Sequence, residues 1–391
     1  MTQLPFTNPS NKKLSGVGTS TATQMSNPRG GVVLPKRIAA LGLRASAMPS
    51  MIYVLVGFIL GPQLLDILSS EILGHLDPAV SIGLAALGVF VGLGLGSHHA
   101  RTTRWALLAA TIGAVITAAV IAIAMYTLFQ FLELDLPSST AIFAFSIGIC
   151  GCASAAASLG YDIRPHRHIA ARIAELEDVP LIILGGLAVT LASAGIDPFG
   201  QMRLAIIASL AISIAGWLLF ERARSDAERA VFVTGAIALL GGLPAFIGAS
   251  PLVSGVVAGL VWVYIPGSAD RIIASDLRKL QQPLVPLLLI VAGASIQLNP
   301  LLLWITVPLV LFRLSGKLIA STAAARIVGA PAAFVGTVLV PPGAIGIAIA
   351  LNIQQVLGTG DTILVSSIIM AAVASEILAV ALLTVKEEWF N

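Results

Sequence analysis

The chain has 391 residues, 57% of them hydrophobic and 10% charged, with a formal net charge of +3 at pH 7. A soluble protein of this length needs far more charge to cover its surface, so composition excludes a soluble enzyme or binding module. The apolar residues come in long blocks rather than at amphipathic spacing, the pattern of an all-α polytopic membrane protein.

Residues 1–30 are rich in Ser, Thr, Asn, Gly and Pro, lack the apolar stretch of a signal peptide and read as a disordered tail. The stretch VVLPKRIAALGLRAS, 32–46, has two readings: a short basic helix on the membrane surface, or a linker with a few basic residues. Twelve apolar segments follow, at 49–68, 79–97, 104–131, 138–159, 170–194, 202–220, 229–249, 251–267, 281–298, 300–328, 330–357 and 361–385. A helix needs about 20 residues to cross the hydrocarbon core, and most of these qualify. The expected domains are a cytoplasmic tail at 1–48, a transmembrane domain at 49–385 and a short cytoplasmic end at 386–391.

All but Arg203, Arg313 and Lys317 of the 22 lysines and arginines fall in the tail or in every second loop. The opposite loops carry Glu71, Asp77, Glu133, Asp135, Asp197 and Asp361. By the positive-inside rule both termini are expected in the cytoplasm, with the protein in a bacterial inner membrane. The basic residues thus mark a membrane face rather than a nucleic-acid partner.

Six charges remain in or at the mouths of apolar segments: Glu175, Glu177, Asp178, Arg313, Lys317 and Glu376. At 1.5 Å rise per residue, Asp178 lies about 12 Å from Ala170, Lys317 about 14 Å from Arg326 and Glu376 about 15 Å from Lys386. Half of a ~30 Å core is ~15 Å, so all three are expected near the midplane, where charges cost enough to demand partners or a watery cavity. Lys317 and Arg313 are candidate partners for the acids, including an Arg313–Glu376 pair. Glu175, at about 8 Å, is the candidate for a cytoplasmic funnel. Glu177 and Lys317 have two readings: a fixed ion pair that holds helices together, or part of a titrating site.

Two segments look interrupted at the same depth. IGICGCASAAASLG, 147–160, carries Gly151 and Ser154; VGTVLVPPGAIGIAIALN, 335–352, carries Pro341, Pro342 and Gly343. Proline disrupts the preceding turn, and glycine permits unwinding. Unwound backbone at membrane depth is tolerated where it lines a cavity, and broken helices in two halves mark a transporter's site. Segments three to five and ten to twelve would then be inverted repeats, and the centre an acidic cation site. Cys150 and Cys152 read as small packing residues rather than metal ligands. His98, His99, His166 and His168 read as loop residues or a pH sensor.

Four stretches together resemble the monovalent cation:proton antiporter superfamily, the sodium/proton and potassium/proton exchangers. They are PSMIYVLVGFILGP at 49–62, ASPLVSGVVAGLVW at 249–262, PLLLIVAGASIQL at 286–298 and LSGKLIASTAAARIVG at 314–329. The resemblance implies the sodium/proton antiporter-like fold of about 12 helices, with core helices at about 104–194 and 300–385 moving against a scaffold and dimer part. It places Glu177-Asp178 at the family's acidic pair and Lys317 at its tenth-helix lysine, so that Asp178 binds a cation or a proton in alternation. A homodimer is implied too. PPGAIG replaces the Arg-Gly-Glu stretch of potassium-efflux members, which leaves the choice among Na⁺, K⁺ and Li⁺ open.

The expected function is exchange of a monovalent cation for protons across the lipid bilayer, with no cofactor, no nucleic-acid partner and no enzymatic activity. One rival is a sodium-coupled symporter of an organic anion, to which Asn352, Gln354 and Gln355 would contribute a polar pocket. Another is a channel or non-transporting membrane sensor.

Overall fold

A computed structural model describes residues 49–96, 100–133, 139–154, 167–193, 197–265, 283–328, 343–357 and 362–389, all within the unit Ser46–Asn391. The tail, His98, His99, His166, Pro341 and Pro342 lie outside the described residues, as do the side chains of His168, Glu175 and Glu376.

The described residues form α-helices and no strand. They are α1 (Pro49–Leu60), α2 (Ser70–Gly96), α3 (Ala100–Phe131), α4 (Thr140–Cys152), α5 (Arg167–Ala192) and α6 (Pro198–Arg222). There follow α7 (Asp226–Phe246), α8 (Pro251–Tyr264), α9 (Pro283–Ala294), α10 (Leu301–Val328), α11 (Ala344–Leu357) and α12 (Thr362–Trp389). Each of the apolar segments read from the sequence overlaps one of them, though α2 begins at Ser70, well before the expected start at 79, and α3, α5, α6, α7 and α12 also run past their bounds. Among the described residues, α2, α3, α6, α7 and α10 are long and apolar enough to cross a membrane.

Local chemistry explains several boundaries. Asp197 accepts from Gly200 N ahead of Pro198, and Ser225 accepts from Glu228 N, so side chains supply the acceptors that the first N–H groups of α6 and α7 lack. The tight α7–α8 turn uses Gly248 at φ 71°, a left-handed conformation open to glycine. Ser250 then caps α8 by accepting from Val253 N at 3.2 Å, with Pro251 in the first turn.

The helices pack in two groups. In one, α2, α6, α7 and α8 lie together, and α2 and α8 approach backbone to backbone. Matched Gly-x-x-x-Gly pairs allow this: Gly88 and Gly92 of α2 face Gly255 and Gly259 of α8. A Cβ on Gly255 would sit 2.0 Å from the Ala85 carbonyl oxygen, and one on Gly88 2.1 Å from that of Leu252. Trp262 of α8 is fully buried there, donating from Nε1 to Ser213 O at 2.9 Å and meeting Phe220 edge-on. The other group joins α3, α4, α5, α10, α11 and α12. α1 packs on α9 through Gly57, Gly61 and Gly293.

Outward faces stay apolar. Leu303, Val307, Leu311 and Leu318 of α10, and Ile207, Ile214 and Leu218 of α6, are exposed. Apolar surface repeated at helical spacing on several helices is what lipid, rather than water, solvates. The chain is thus built as an integral, multi-pass membrane protein.

Candidate functional site

Glu177 and Asp178 sit on α5, three and two residues before Pro180. Lys317 on α10 reaches Glu177, its Nζ 2.5 Å from Oε2, and both side chains are buried. Ser154, just past the end of α4, donates to the same oxygen at 3.2 Å. The other oxygen, Oε1, lies beside Gly113 of α3, where even an added Cβ would stay 3.5 Å away. Glu177 therefore stands where α3, α4, α5 and α10 converge. A buried pair of this kind is costly to desolvate, and breaking it by removing one partner costs about 3–5 kcal/mol. Asp178, the next residue, is half-buried, with Oδ1 withdrawn from solvent.

Arg313 lies one turn before Lys317 on the same face of α10. It is fully buried, donating from Nε to Gly151 O at 2.8 Å and from Nη2 to Ala153 O at 3.2 Å. These acceptors belong to the end of α4, which stops at Cys152 before Ala153 turns extended at φ −52°, ψ 144°. A helix that ends inside the protein leaves carbonyls without intrahelical partners and carries a partial negative charge at that end. The guanidinium meets both needs. An Arg313–Glu376 contact falls outside the described side chains.

The start of α11 completes the junction. Gly343 is buried, and a Cβ on Gly346 would sit 2.5 Å from Cys150 O and 3.1 Å from the Ala153 Cβ. The C-terminal turn of α4 and the N-terminal turn of α11 thus touch, beside Arg313 and one turn from the Lys317–Glu177 pair. The break expected at Gly151 and Ser154 falls at this helix end, whereas the break expected at Pro341 and Pro342 lies outside the described residues. Cys150 and Cys152 are buried free thiols, with Cys152 Sγ 3.4 Å from Ala114 O. Among the described residues, no three His, Cys, Asp or Glu side chains gather as metal ligands would.

Sequence reasoning grouped the charges by depth but missed the atoms between them. Arg313 binds backbone carbonyls, which have no side-chain signature; the only hint was a glycine-centred break that would free them. Asn352, offered by the sequence for an organic-anion pocket, is 1% exposed and donates from Nδ2 to Ser250 Oγ at 2.7 Å. Gln355 donates to Asp77 O at 3.1 Å and accepts from Ser81 Oγ at 3.3 Å.

Neither a scan of family models nor a search of curated proteins finds a match to this chain. Among solved structures it is similar to the sodium proton antiporter MjNhaP1 from Methanocaldococcus jannaschii, solved at pH 8. The two are 15% identical with a TM-score of 0.61, over 88% of this chain and 95% of that one. The likeness shows the fold: the chain has the helical architecture of that structure.

Proposed function

We propose that the protein is a secondary active transporter, not an enzyme, that exchanges a monovalent cation, Na⁺ or K⁺, for protons by alternating access at Asp178. The observation that carries this reading is the buried Lys317–Glu177 pair adjoining Asp178 at the meeting of two helix ends. A carboxyl group can hold a proton or, once ionised, offer its oxygens to a monovalent cation, so the two ions compete for one place. One carboxylate serving either ion, opened to each face in turn, suffices for exchange. Lys317 neutralises Glu177, and Arg313 neutralises the end of α4, so the interior is left with charge that an incoming cation can balance. Carbonyls at the helix junction would supply further oxygen ligands. The same reading has both termini in the cytoplasm of a bacterial cell, a homodimer and a role in pH homeostasis.

The organic-anion symporter receives less support. Its polar pocket would draw on Asn352, Gln354 and Gln355, and the amides of Asn352 and Gln355 already bond Ser250, Ser81 and Asp77.

The test is proton movement in proteoliposomes with an acidic interior, followed by a fluorescent pH reporter on addition of Na⁺, K⁺ or Li⁺. Cation-driven alkalinisation that disappears in Asp178→Asn is expected. Folded wild-type protein that answers none of the cations would overturn the reading.

A further inference from the structure

Where α11 meets α2 and the α7–α8 turn, polar contacts cross between the two helix groups. Asn352 donates to Ser250 Oγ; Gln355, three residues on and on the same face of α11, bonds both Asp77 O and Ser81 Oγ. Asp77, Ser81, Asn352 and Gln355 line one open cavity of about 310 Å³, whose other walls are the last turn of α7 and the start of α8. At the α5–α6 end Ser193 Oγ also donates to Gln201 Oε1 at 3.2 Å, whereas along α5 and α8 the contact is apolar: Gly186 sits against Val253 so closely that a Cβ would be 2.3 Å from Val253 Cγ2. Apolar surfaces slide past one another with little preference for position. Directional bonds between amides, hydroxyls and a carbonyl select one register.

The cavity lies at the ends of α2, α7 and α8 remote from the loops that carry Arg101, Arg222, Arg224 and Arg271. Asn352 adds a further feature. Its Nδ2 is bonded, but its buried Oδ1 meets no hydrogen-bond donor among the described residues. A buried amide left half-satisfied stabilises this register less than a fully bonded one. It can therefore hold the position without locking it.

We propose that Asn352 and Gln355 form a latch. It fastens the group that carries the charged site to the other group on the face opposite the arginine-rich loops, and its release opens the cavity toward the ion site. The latch rests on the alternating-access reading above, because it presupposes that the groups move.

Its first test uses the full chain in proteoliposomes with Ala249→Cys, a buried position in the cavity lining, as reporter. A membrane-impermeant maleimide is applied from the cavity face, with protein lacking the reporter as background. Adding Asn352→Ala and Gln355→Ala should raise the labelling rate at least about tenfold, as the loss of three net hydrogen bonds predicts. An unchanged rate would overturn the latch. The second test fastens the groups instead: Ser81→Cys with Gln355→Cys, whose native polar atoms lie 3.3 Å apart, is bridged by a short bis-methanethiosulfonate. Cation-driven proton movement should fall at least about tenfold and return on reduction. Full exchange by verified cross-linked protein would equally overturn the latch. If the wild-type protein moves no protons with any cation, the transport reading fails, and the labelling comparison still decides the latch.

Discussion

Lys317 on α10 and Glu177 on α5 form a buried ion pair, Nζ to Oε2 at 2.5 Å, directly beside Asp178. Two charges withdrawn from water depend on one another. Glu177→Gln or Lys317→Met alone leaves a buried charge without its partner and should cost about 3–5 kcal/mol of stability. The two changes together remove both charges and should recover most of that loss. Thermal unfolding of the four purified proteins closes the cycle, and a simple sum of the single effects would show that the pair is not coupled.

Arg313 places two guanidinium nitrogens on two carbonyls, Gly151 O and Ala153 O. Arg313→Met leaves both acceptors without that donor in an apolar interior, an expected loss of about 2–4 kcal/mol. Lysine has one ammonium point and no planar fork, so Arg313→Lys should fall between methionine and the wild type. Denaturation midpoints provide the ranking; if lysine proves as stable as arginine, the two-point hold on the end of α4 does not matter.

How far the sequence foretold this arrangement follows from what each interaction costs. Glu177 and Lys317 were legible because a charge inside an apolar run demands a partner, and helical rise put both at one depth. Segment positions were legible for the same reason, since long apolar runs are conspicuous. Arg313 was visible as a charge, but its acceptors were not, because backbone carbonyls have the same composition everywhere. Ser154 and Asn352 were harder still: short polar residues are ordinary in helices until a neighbouring element arrives. The Gly88–Gly255 approach lay hidden because Gly-x-x-x-Gly reports a close contact without naming the helix that makes it.

That contact makes its own prediction. A methyl at Gly88 or Gly255 would fall about 2 Å from a backbone carbonyl oxygen, where no side chain can yield. Gly88→Ala and Gly255→Ala should therefore separate α2 from α8 and destabilise by about 1–3 kcal/mol or more. Gly74 and Gly235 have nothing within 4 Å of an added Cβ. Gly74→Ala and Gly235→Ala should be neutral or stabilising by up to about 1 kcal/mol through helix propensity. Melting temperatures of the four variants in one detergent provide the comparison, and similar losses at all four would refute the close approach.

The Lys317–Glu177 pair also bears on the charge moved per cycle. On the transport reading proposed above, one cation exchanged for one proton at Asp178 transfers no net charge. A second proton carried by the pair, with Glu177 and Lys317 trading partners as the cation binds, would make each cycle carry one. A membrane potential acts on such a charge with about 2.3 kcal/mol per 100 mV, roughly a fiftyfold shift in the gradient that exchange can sustain. Wild-type protein in proteoliposomes should therefore shift its exchange steeply with imposed potential. The Glu177→Gln, Lys317→Met double variant, whose stability the cycle above checks independently, should exchange with a flat response. A wild-type response that is itself flat over 100 mV would assign the pair to holding α5 and α10 together, and leave Asp178 as the sole titrating carboxylate of the exchange.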